Sequence, residues 1–230
     1  MKAVILAAGR GLRMMPLTEN TPKPLLKVAG KTLINHTIGL LPPEVDEVIF
    51  VVNYLQEKVV AHVKDNHPNT RVRFLTQDQC DGTAKALELA NPYLGKKKFL
   101  LLFSDDLHSP EAVRELSNHE LGILVAESEQ PERFGVVEVS DGKVVNIIEK
   151  PAKPKSNLVN VGVHLLDHRI FNYAAIKSPN GEYYLTDQLR ALARDYPVSV
   201  VKTNFWLPIG YPEDLARAEN CLQTRRPSGL

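Results

Sequence analysis

The chain has 230 residues, a formal net charge of +1 (28 lysines and arginines against 27 aspartates and glutamates) and 43% hydrophobic residues. These values are typical of a globular protein that buries its own core, and the balanced charge argues against a protein that coats nucleic acid or an anionic membrane. The two cysteines, Cys80 and Cys221, form no CxxC pair, so neither a zinc site nor a disulfide framework is indicated. We therefore expect a reduced, cytoplasmic location and small-molecule partners.

No apolar run approaches the ~18 residues that a membrane helix needs. The longest runs, FLLLF at 99–103 and GILVA at 122–126, have the length of strands. The N-terminal VILAA is followed at once by Gly9 and Arg10, which predicts a first strand rather than a signal peptide. No membrane association is expected.

In the first 130 residues, short apolar runs alternate with amphipathic segments, which is typical of a sheet with helical crossovers. The predicted strands are 3–7, 47–52, 72–76, 99–103 and 122–126. The predicted helices are 33–41, 55–65, 83–90 and 110–117, the last with Ser109 as its N-cap. Because most of these strands are continuously apolar, we expect parallel strands that are buried on both faces.

After residue 130 the pattern becomes antiparallel. The segments 134–140 and 143–150 are separated by Asp141 and Gly142, a strong hairpin signal. The remaining predicted elements are a strand at 158–166, helices near 168–176 and 184–195, a strand at 198–203 and a helix from about Pro212.

Together these patterns predict an α/β fold, with a Rossmann-like, doubly wound, mainly parallel sheet that has helices on both faces, and a small antiparallel portion in the second half. We expect a single domain over residues 1–223, in two halves at 1–130 and 131–223, followed by a tail at 224–230.

The first loop carries the strongest chemical signal. Gly9 and Gly11 follow the first strand and let the backbone amides approach a ligand. Arg13, Lys23 and Lys27 add permanent cations in the same segment. An amide cradle beside several cations predicts a polyphosphate site.

Spacing excludes two common nucleotide-binding motifs. GKT at 30–32 ends like a Walker loop, but the first glycine of that motif would fall at Leu25. A dinucleotide fingerprint would require glycine at Met14 and an acid near Asn53.

The string LAAGRGLRMMPLTENTPKPLLKVAGKTLI, at 6–34, resembles the signature loop of the sugar-phosphate nucleotidyltransferases. The resemblance continues in order along nearly the whole chain through QDQCDGTAKA at 77–86, FSDD at 103–106, FGVVE at 134–138, EKP at 149–151, NVG at 160–162, EYYLTD at 182–187 and WLPIGYPEDL at 206–215. It implies transfer of a nucleotidyl group from a nucleoside triphosphate to a sugar 1-phosphate, with release of pyrophosphate, by in-line displacement assisted by Mg²⁺. The 1–130 half would then bind the nucleotide and the 131–223 half the sugar phosphate.

The resemblance also implies roles for charged residues. Arg13 should hold the β- and γ-phosphates, Lys23 should bridge the α-phosphate and the incoming sugar phosphate, and Asp105 should bind Mg²⁺. Gln77 carries an amide that suits uracil or thymine and resembles the base reader of the family. The expected nucleotide-binding residues are Leu6, Ala8, Gly9, Gly11, Gln77, Gly82 and Thr83.

On the sugar side, the resemblance implies that Lys150 binds the sugar phosphate and that Glu149 binds sugar hydroxyls. Gly135, Asn160 and Thr186 would complete the pocket, with Asn160 facing an acyl or hydroxyl group. GTAKA at 82–86 is similar to uridylyltransferases that use N-acetylglucosamine 1-phosphate, which favours UTP over dTTP and N-acetylglucosamine or glucose 1-phosphate as acceptor.

The chain departs from the family pattern at two positions. Pro208, two residues after Trp206, stands where relatives often carry a second metal-binding acid, and Ser104 stands where glycine is usual. The second metal contact would then come from Asp106 or Asp214, or Asp105 would act with phosphates and water alone.

Two alternatives stay open at this stage, together with a homo-oligomeric state. One is a cytidylyl- or guanylyltransferase acting on another phosphate, such as phosphocholine, mannose 1-phosphate or N-acetylmuramic acid 1-phosphate. The other is a noncatalytic regulatory protein that binds nucleotide sugar.

Overall fold

The computed structural model describes residues 1–224, and its core is a nine-stranded mixed sheet. The strands are β1 (Lys2–Ala7), β2 (Lys27–Val28), β3 (Lys31–Thr32), β4 (Glu47–Val52), β5 (Val72–Thr76), β6 (Phe99–Phe103), β7 (Asp106–His108), β8 (Gly122–Glu127), β9 (Gly135–Ser140), β10 (Lys143–Glu149), β11 (Leu158–Leu166), β12 (Ser199–Lys202) and β13 (Trp206–Pro208). The α-helices are α1 (Leu33–Ile38), α2 (Gln56–Asn66), α3 (Thr83–Leu94), α4 (Pro110–Ser117), α5 (Leu185–Asp195) and α6 (Pro212–Thr224).

The large sheet has the order β5-β4-β1-β6-β11-β8-β12-β10-β9. β1, β4, β5 and β6 form a parallel block, and β8 pairs with β12 in parallel. β11 lies between β6 and β8 and is antiparallel to both, while β10 is antiparallel to β9 and β12. β10 and β11 therefore run against the other strands of this sheet.

Helices pack on both faces of the sheet because successive strand side chains point to opposite sides. On one face, Ala3 and Ile5 of β1 share a core with residues of α1, α2 and α4. On the other face, Val4 and Leu6 share a core with α3 and α5. A third cluster, with Met14 and Val28, packs under α6.

The predicted α/β fold is confirmed, and several predicted elements need correction. The antiparallel portion is part of the large sheet, because β9 pairs with both β10 and β11. The predicted helix at 168–176 is wrong in type and length: a short 3-10 helix covers His168–Asn172, capped by Asp167. The helix predicted at 33–41 ends at Ile38, since Gly39 caps it and Pro42 follows closely. Thr224, placed in a tail, is the last residue of α6, and the rest of that tail lies outside the described residues.

A backbone crossing ties α3 to the segment before α5. The Tyr183 N–H donates to the Asp81 carbonyl at 2.7 Å, and the Ala84 N–H donates to the Tyr183 carbonyl at 3.0 Å. Gly82 lies between these bonds with φ +121°, and a Cβ there would lie 2.4 Å from the Tyr183 carbonyl oxygen. Only glycine fits this crossing without displacing backbone.

A buried carboxylate joins three parts of the chain where β4 begins. The Glu47 side chain is 3% exposed and pairs with Lys2 at 2.9 Å and Arg73 at 3.2 Å. The hydrogen bond from Lys2 holds the pKa of Glu47 below its ordinary value, against the opposing effect of burial. This ion pair links β1, β4 and β5 at the end of the sheet where β1 and β4 begin.

Among the described residues, no helix is long and apolar enough to cross a membrane.

Gly82→Ala should lower the free energy of unfolding by about 2 kcal/mol or more, because the methyl group meets the Tyr183 backbone and the left-handed φ is strained. Chemical denaturation would measure the loss. Gly9→Ala is the control: no atom lies within 4 Å of its added Cβ, so its stability should stay within about 0.5 kcal/mol. Equal stability of the two variants would contradict the crossing as described.

Glu47→Gln should destabilise the protein by about 1–3 kcal/mol near neutral pH, because Lys2 and Arg73 lose a charged partner. A carboxyl with a depressed folded-state pKa stabilises the fold above its unfolded pKa, and that contribution disappears as pH falls through the folded-state pKa. The difference between wild type and variant should therefore shrink well below pH 4.5, the ordinary value for this group.

Urea denaturation over a pH series would measure this effect. Glu57→Gln, at an exposed position of α2, is the matched control. A difference for Glu47→Gln that stays constant down to low pH would contradict the linkage.

Candidate functional site

A cleft of about 540 Å³ opens at the carboxyl ends of β1, β5 and β6. From β1 the chain moves outward to β4 and β5, then returns to place β6 on the other side of β1. Open α/β sheets bind ligands at such a switch point. All the predicted nucleotide-binding residues line this cleft, as do Arg13, Lys23 and Asp105.

The first loop folds back on itself at Gly11. This residue has φ +65°, and a Cβ there would lie 3.1 Å from both the Lys23 and Thr18 side chains. The Thr18 hydroxyl donates to the Gly11 carbonyl at 2.8 Å. Glycine thus lets the loop close tightly enough to bring Lys23 beside the amide cradle.

Arg13 lies at the exposed side of the same loop. Its guanidinium stacks over the Tyr211 ring at 5.2 Å, and Arg133 stacks over that ring at 4.9 Å. Arg13, followed by Arg133, lowers the pKa of Tyr211. Tyr211 thereby holds two permanent cations near the mouth of the cleft.

Lys23 and Asp105 form the central ion pair of the cleft. Lys23 Nζ lies 2.6 Å from Asp105 Oδ2, with the lysine side chain 10% exposed and the aspartate side chain 39% exposed. Ser104, where glycine was expected, is buried and its hydroxyl donates to the Leu6 carbonyl at 2.9 Å. Serine therefore fits this strand end and adds a bond to β1.

Both carboxylate oxygens of Asp106 accept hydrogen bonds from the protein. Trp206 Nε1 donates to Asp106 Oδ2 at 2.8 Å, and the Ile209 N–H donates to Asp106 Oδ1 at 3.1 Å. Desolvation, and then the charge of Asp105, raises the pKa of Asp106. Pro208 pairs with Asp106 between β13 and β7. The position at which the resemblance implied an acid is therefore occupied by a residue of this strand pair.

Asp214, the other candidate for a second metal contact, is also engaged. Its Oδ2 accepts from the Gly210 and Tyr211 N–H groups at 2.8 and 2.9 Å, and Arg217 pairs with Oδ1 at 3.0 Å. In residues 1–224, no group of three or more His, Cys, Asp or Glu side chains could hold a metal ion. Of the three aspartates considered for the metal, Asp105 is thus the one that remains partly exposed beside a single side-chain partner.

The Gln77 amide is fixed in one orientation. Its Nε2 donates to Asp81 Oδ1 at 3.0 Å and to the Gly82 carbonyl at 3.2 Å. Both partners can only accept, so the NH₂ group is identified and Oε1 is left as the free acceptor. Gln77 was expected to donate as well as accept toward a base, and the structure leaves it only the acceptor.

The predicted sugar-side residues form a second group, next to the cleft. Gly135 faces Glu149 across the β9–β10 pair and Asn160 across the β11–β9 pair. The Thr186 hydroxyl donates to Glu149 Oε2 at 3.1 Å. A Cβ on Gly135 would lie 2.9 Å from Thr186, so glycine is required for these side chains to meet. We call Gly135, Glu149, Asn160 and Thr186 the carboxylate cluster.

Lys150 extends the carboxylate cluster outward. Its Nζ lies 3.5 Å from Glu149 Oε1 and 5.1 Å from the Tyr184 ring centroid, and its φ of +43° is unusual for a residue with a side chain. Burial raises the pKa of Glu149, and the charge of Lys150 opposes that shift. None of these sugar-side residues lines the large cleft itself.

Thr83 and Phe103 connect the two groups. Both line the cleft. The Leu185 N–H donates to Thr83 Oγ1 at 3.0 Å, which places the start of α5, and hence Thr186, beside the nucleotide side. Phe103 contacts His164 of β11 with ring centroids 5.8 Å apart.

Sequence reasoning missed several residues of the site. Tyr211 and Arg133 hold or flank Arg13, and Cys80 and Glu182 line the cleft. Asp106 was expected only as a possible ligand, whereas the structure places it as the first residue of β7, where it anchors the Trp206 segment. Tyr211 lies within the quoted motif WLPIGYPEDL, which is the signal that could have identified it.

Comparisons with known proteins agree with this geometry. The family model described as Nucleotidyl transferase matches residues 2–225. The bifunctional protein GlmU of Methanocaldococcus jannaschii is 36% identical over 226 residues, which are 96% of this chain and 54% of the relative. The UTP–glucose-1-phosphate uridylyltransferase AglF of Haloferax volcanii is 32% identical over 235 residues, 97% of each chain.

A solved structure of a candidate glucose-1-phosphate thymidylyltransferase from Bacillus anthracis, in complex with a sucrose, superposes with a TM-score of 0.86. It is 27% identical, and the match covers 100% of this chain and 98% of that one. The chain spans about half the length of the GlmU relatives. With a family match over nearly its whole length and relatives above 30% identity, the chain belongs to the nucleotidyl transferase family.

Proposed function

We propose that this protein transfers a nucleotidyl group from a nucleoside triphosphate to a sugar 1-phosphate, with UTP as the favoured donor and dTTP next. The observation that carries the proposal is a single cleft lined by Arg13, Lys23, Asp105 and Gln77. Two permanent cations suit a triphosphate, and an amide acceptor suits a base. Relatives named as a glucose-1-phosphate uridylyltransferase and a mannose-1-phosphate guanylyltransferase support the reaction class.

The phosphate chemistry needs alignment and charge neutralisation. A sugar 1-phosphate is already an anionic nucleophile near neutral pH, so no general base is required. Lys23 is buried beside the amide cradle and would hold the α-phosphate and the incoming phosphate together. Arg13, held by Tyr211, would bind the β- and γ-phosphates of the leaving pyrophosphate.

Mg²⁺ is part of the proposal because the donor set fits it. Magnesium is commonly bound through one or two carboxylates together with substrate phosphates and water, and Asp105 supplies one partly exposed carboxylate. When bound, the ion would neutralise charge on the phosphate oxygens. Lys23 would then exchange its contact with Asp105 for contacts with phosphate.

The orientation of Gln77 is compatible with the proposed donor. Its free Oε1 can accept from N3–H of uracil or thymine. It can also accept from the exocyclic amino groups of cytosine, adenine and guanine and from N1–H of guanine, so the amide alone does not select the base. We favour UTP, since the cleft-lining Gly82 and Thr83 belong to GTAKA, which is similar to uridylyltransferases.

On the sugar side we propose N-acetylglucosamine 1-phosphate or glucose 1-phosphate. Glu149 would accept from sugar hydroxyls and Lys150 would bind the sugar phosphate. Thr186 supports this role by fixing Glu149 through a 3.1 Å hydrogen bond. We propose a cytoplasmic location, as expected from the isolated cysteines.

The decisive experiment is pyrophosphate release with Mg²⁺, crossing UTP, dTTP, CTP, GTP and ATP with several sugar 1-phosphates and phosphocholine. We expect release with UTP or dTTP and a glucose-type sugar phosphate. Release only with CTP or GTP would replace the proposed donor. Bound nucleotide with no release across the panel would favour a noncatalytic regulatory protein.

Asp105→Asn should reduce Mg²⁺-dependent turnover by about a hundredfold or more, because a neutral amide is a poor magnesium ligand. The substituted amide can still accept a hydrogen bond from Lys23 Nζ, so the fold should persist, with a lower stability because Lys23 loses its charged partner. Turnover would be measured against Mg²⁺ concentration, with thermal denaturation as the check on folding. Asp65→Asn, at an exposed position of α2, is the control. Near-normal turnover of Asp105→Asn would remove Asp105 from the metal site.

A further inference from the structure

Asn160 has its amide oxygen fully engaged by the protein. Oδ1 accepts from the Gly162 N–H at 3.2 Å and contacts His164 Nε2 at 2.9 Å. A backbone N–H can only donate, so the contact atom must be the oxygen. His164 Nε2 must then carry a hydrogen, because it faces the same oxygen. The two contacts together fix both the amide orientation and the histidine tautomer.

The surroundings of His164 favour the tautomer that carries its hydrogen on Nε2. The residue is 0% exposed, and its Nδ1 has no hydrogen-bond partner among the described residues. Burial, and then the neighbouring His108, lowers the pKa of His164 to about 3, so the ring is neutral at physiological pH. A neutral ring carries one hydrogen, and within residues 1–224 the only acceptor within hydrogen-bond distance of the ring is Asn160 Oδ1.

The backbone of β11 makes this arrangement possible. The register of β11 against β8 shifts between Asn160 and His164. Gly162, in the shift, has φ +79°, and a Cβ there would lie 2.7 Å from the Phe103 ring. The shift lets residues 160 and 164 face each other, and Phe103 packs against His164 on the cleft side.

The Nδ2 group of Asn160 is left for a ligand. Nδ2 has no hydrogen-bond partner in the described part of the chain. Asn160 belongs to the carboxylate cluster, since a Cβ added to Gly135 would lie 3.6 Å from the Asn160 Cβ. This amide can therefore offer only N–H donors to a bound sugar. Glu149, in the same cluster, can offer an acceptor when ionised.

We propose that His164 is a positioning residue for sugar recognition. By fixing the orientation of the Asn160 amide, His164 leaves only the N–H donors of Nδ2 facing the substrate. The substrate class is a sugar 1-phosphate that places an acceptor oxygen opposite Asn160 Nδ2. This inference rests on the proposed function. The two sugar 1-phosphates proposed as substrates differ at C2, where N-acetylglucosamine carries an acetamido group with a carbonyl oxygen and glucose carries a hydroxyl. Glucosamine 1-phosphate carries an ammonium at C2, which can only donate, so a locked amide rejects it.

The test measures kcat and KM for N-acetylglucosamine 1-phosphate and glucosamine 1-phosphate in wild type and His164→Met. Methionine fills the buried space but cannot donate, so Asn160 Oδ1 keeps only its bond from the Gly162 N–H and the amide is held less firmly in its orientation. The preference of wild type for the acetamido sugar, expressed as the kcat/KM ratio, should fall about tenfold, mainly through KM. His164→Gln can donate to Asn160 Oδ1 and should restore most of the preference.

The matched control is His108→Met. His108 is also buried, and neither of its ring nitrogens has a hydrogen-bond partner among the described residues. The same substitution there should leave the sugar preference unchanged. An equal change at both positions would mean that replacing any buried histidine here alters the pocket, and this would overturn the proposal.

A second measurement does not depend on turnover or on a stable variant. Nitrogen NMR of histidine-labelled wild type should show His164 with Nε2 protonated and Nδ1 unprotonated across the neutral range. Protonated Nδ1 would overturn the lock. If wild type releases no pyrophosphate with any sugar phosphate, the proposed function fails, while the NMR result still decides the orientation of Asn160.

Discussion

The cleft depends on one buried cation. Lys23 is 8% exposed, and a lysine taken out of water needs a negative partner at close range. Asp105 supplies that partner at 2.6 Å, which requires the first loop to fold back at Gly11 and β6 to end beside β1. An anion that enters the cleft can replace Asp105 as the negatively charged partner of Lys23. The site is therefore arranged for exchange of one anionic partner for another.

The Trp206 segment is held in place by Asp106, a carboxylate that the sequence made a candidate metal ligand. The resemblance implies an acid two residues after the tryptophan, and here Pro208 occupies that position in the β13–β7 pair. Asp106 accepts from Trp206 Nε1 and from the Ile209 backbone, so it holds this segment against β7. The segment then continues to Tyr211, over whose ring the Arg13 guanidinium stacks. A single carboxylate thus positions both the metal candidate Asp105 and the triphosphate candidate Arg13.

Local patterns predicted most of the strands and helices, and the residues expected to bind the nucleotide line one cleft. Continuous apolar runs located the strands, and Ser109 and Pro110 marked the start of α4, where the structure places it. The placement of β11 between β6 and β8 depends on pairing between distant segments, which periodicity does not report. The tautomer of His164 depends on a two-residue shift within β11 and on the contact with Asn160, and periodicity reports neither. Long-range geometry of this kind had no local signal.

The proposed base side and the proposed sugar side of the site share one stretch of backbone. Asp81 accepts from the Gln77 amide through its side chain and from the Tyr183 N–H through its carbonyl. Two residues after Tyr183, the Leu185 N–H donates to Thr83, and the next residue, Thr186, holds Glu149. A movement of the 77–83 loop would therefore shift the start of α5 and the Glu149 carboxylate. Because Gly82 packs directly against the Tyr183 backbone, this crossing has little room to slide, which limits changes in the separation of the two proposed substrate positions. The proposed in-line displacement depends on such a constraint, since a small error in the distance between two reacting phosphates costs a large share of the rate.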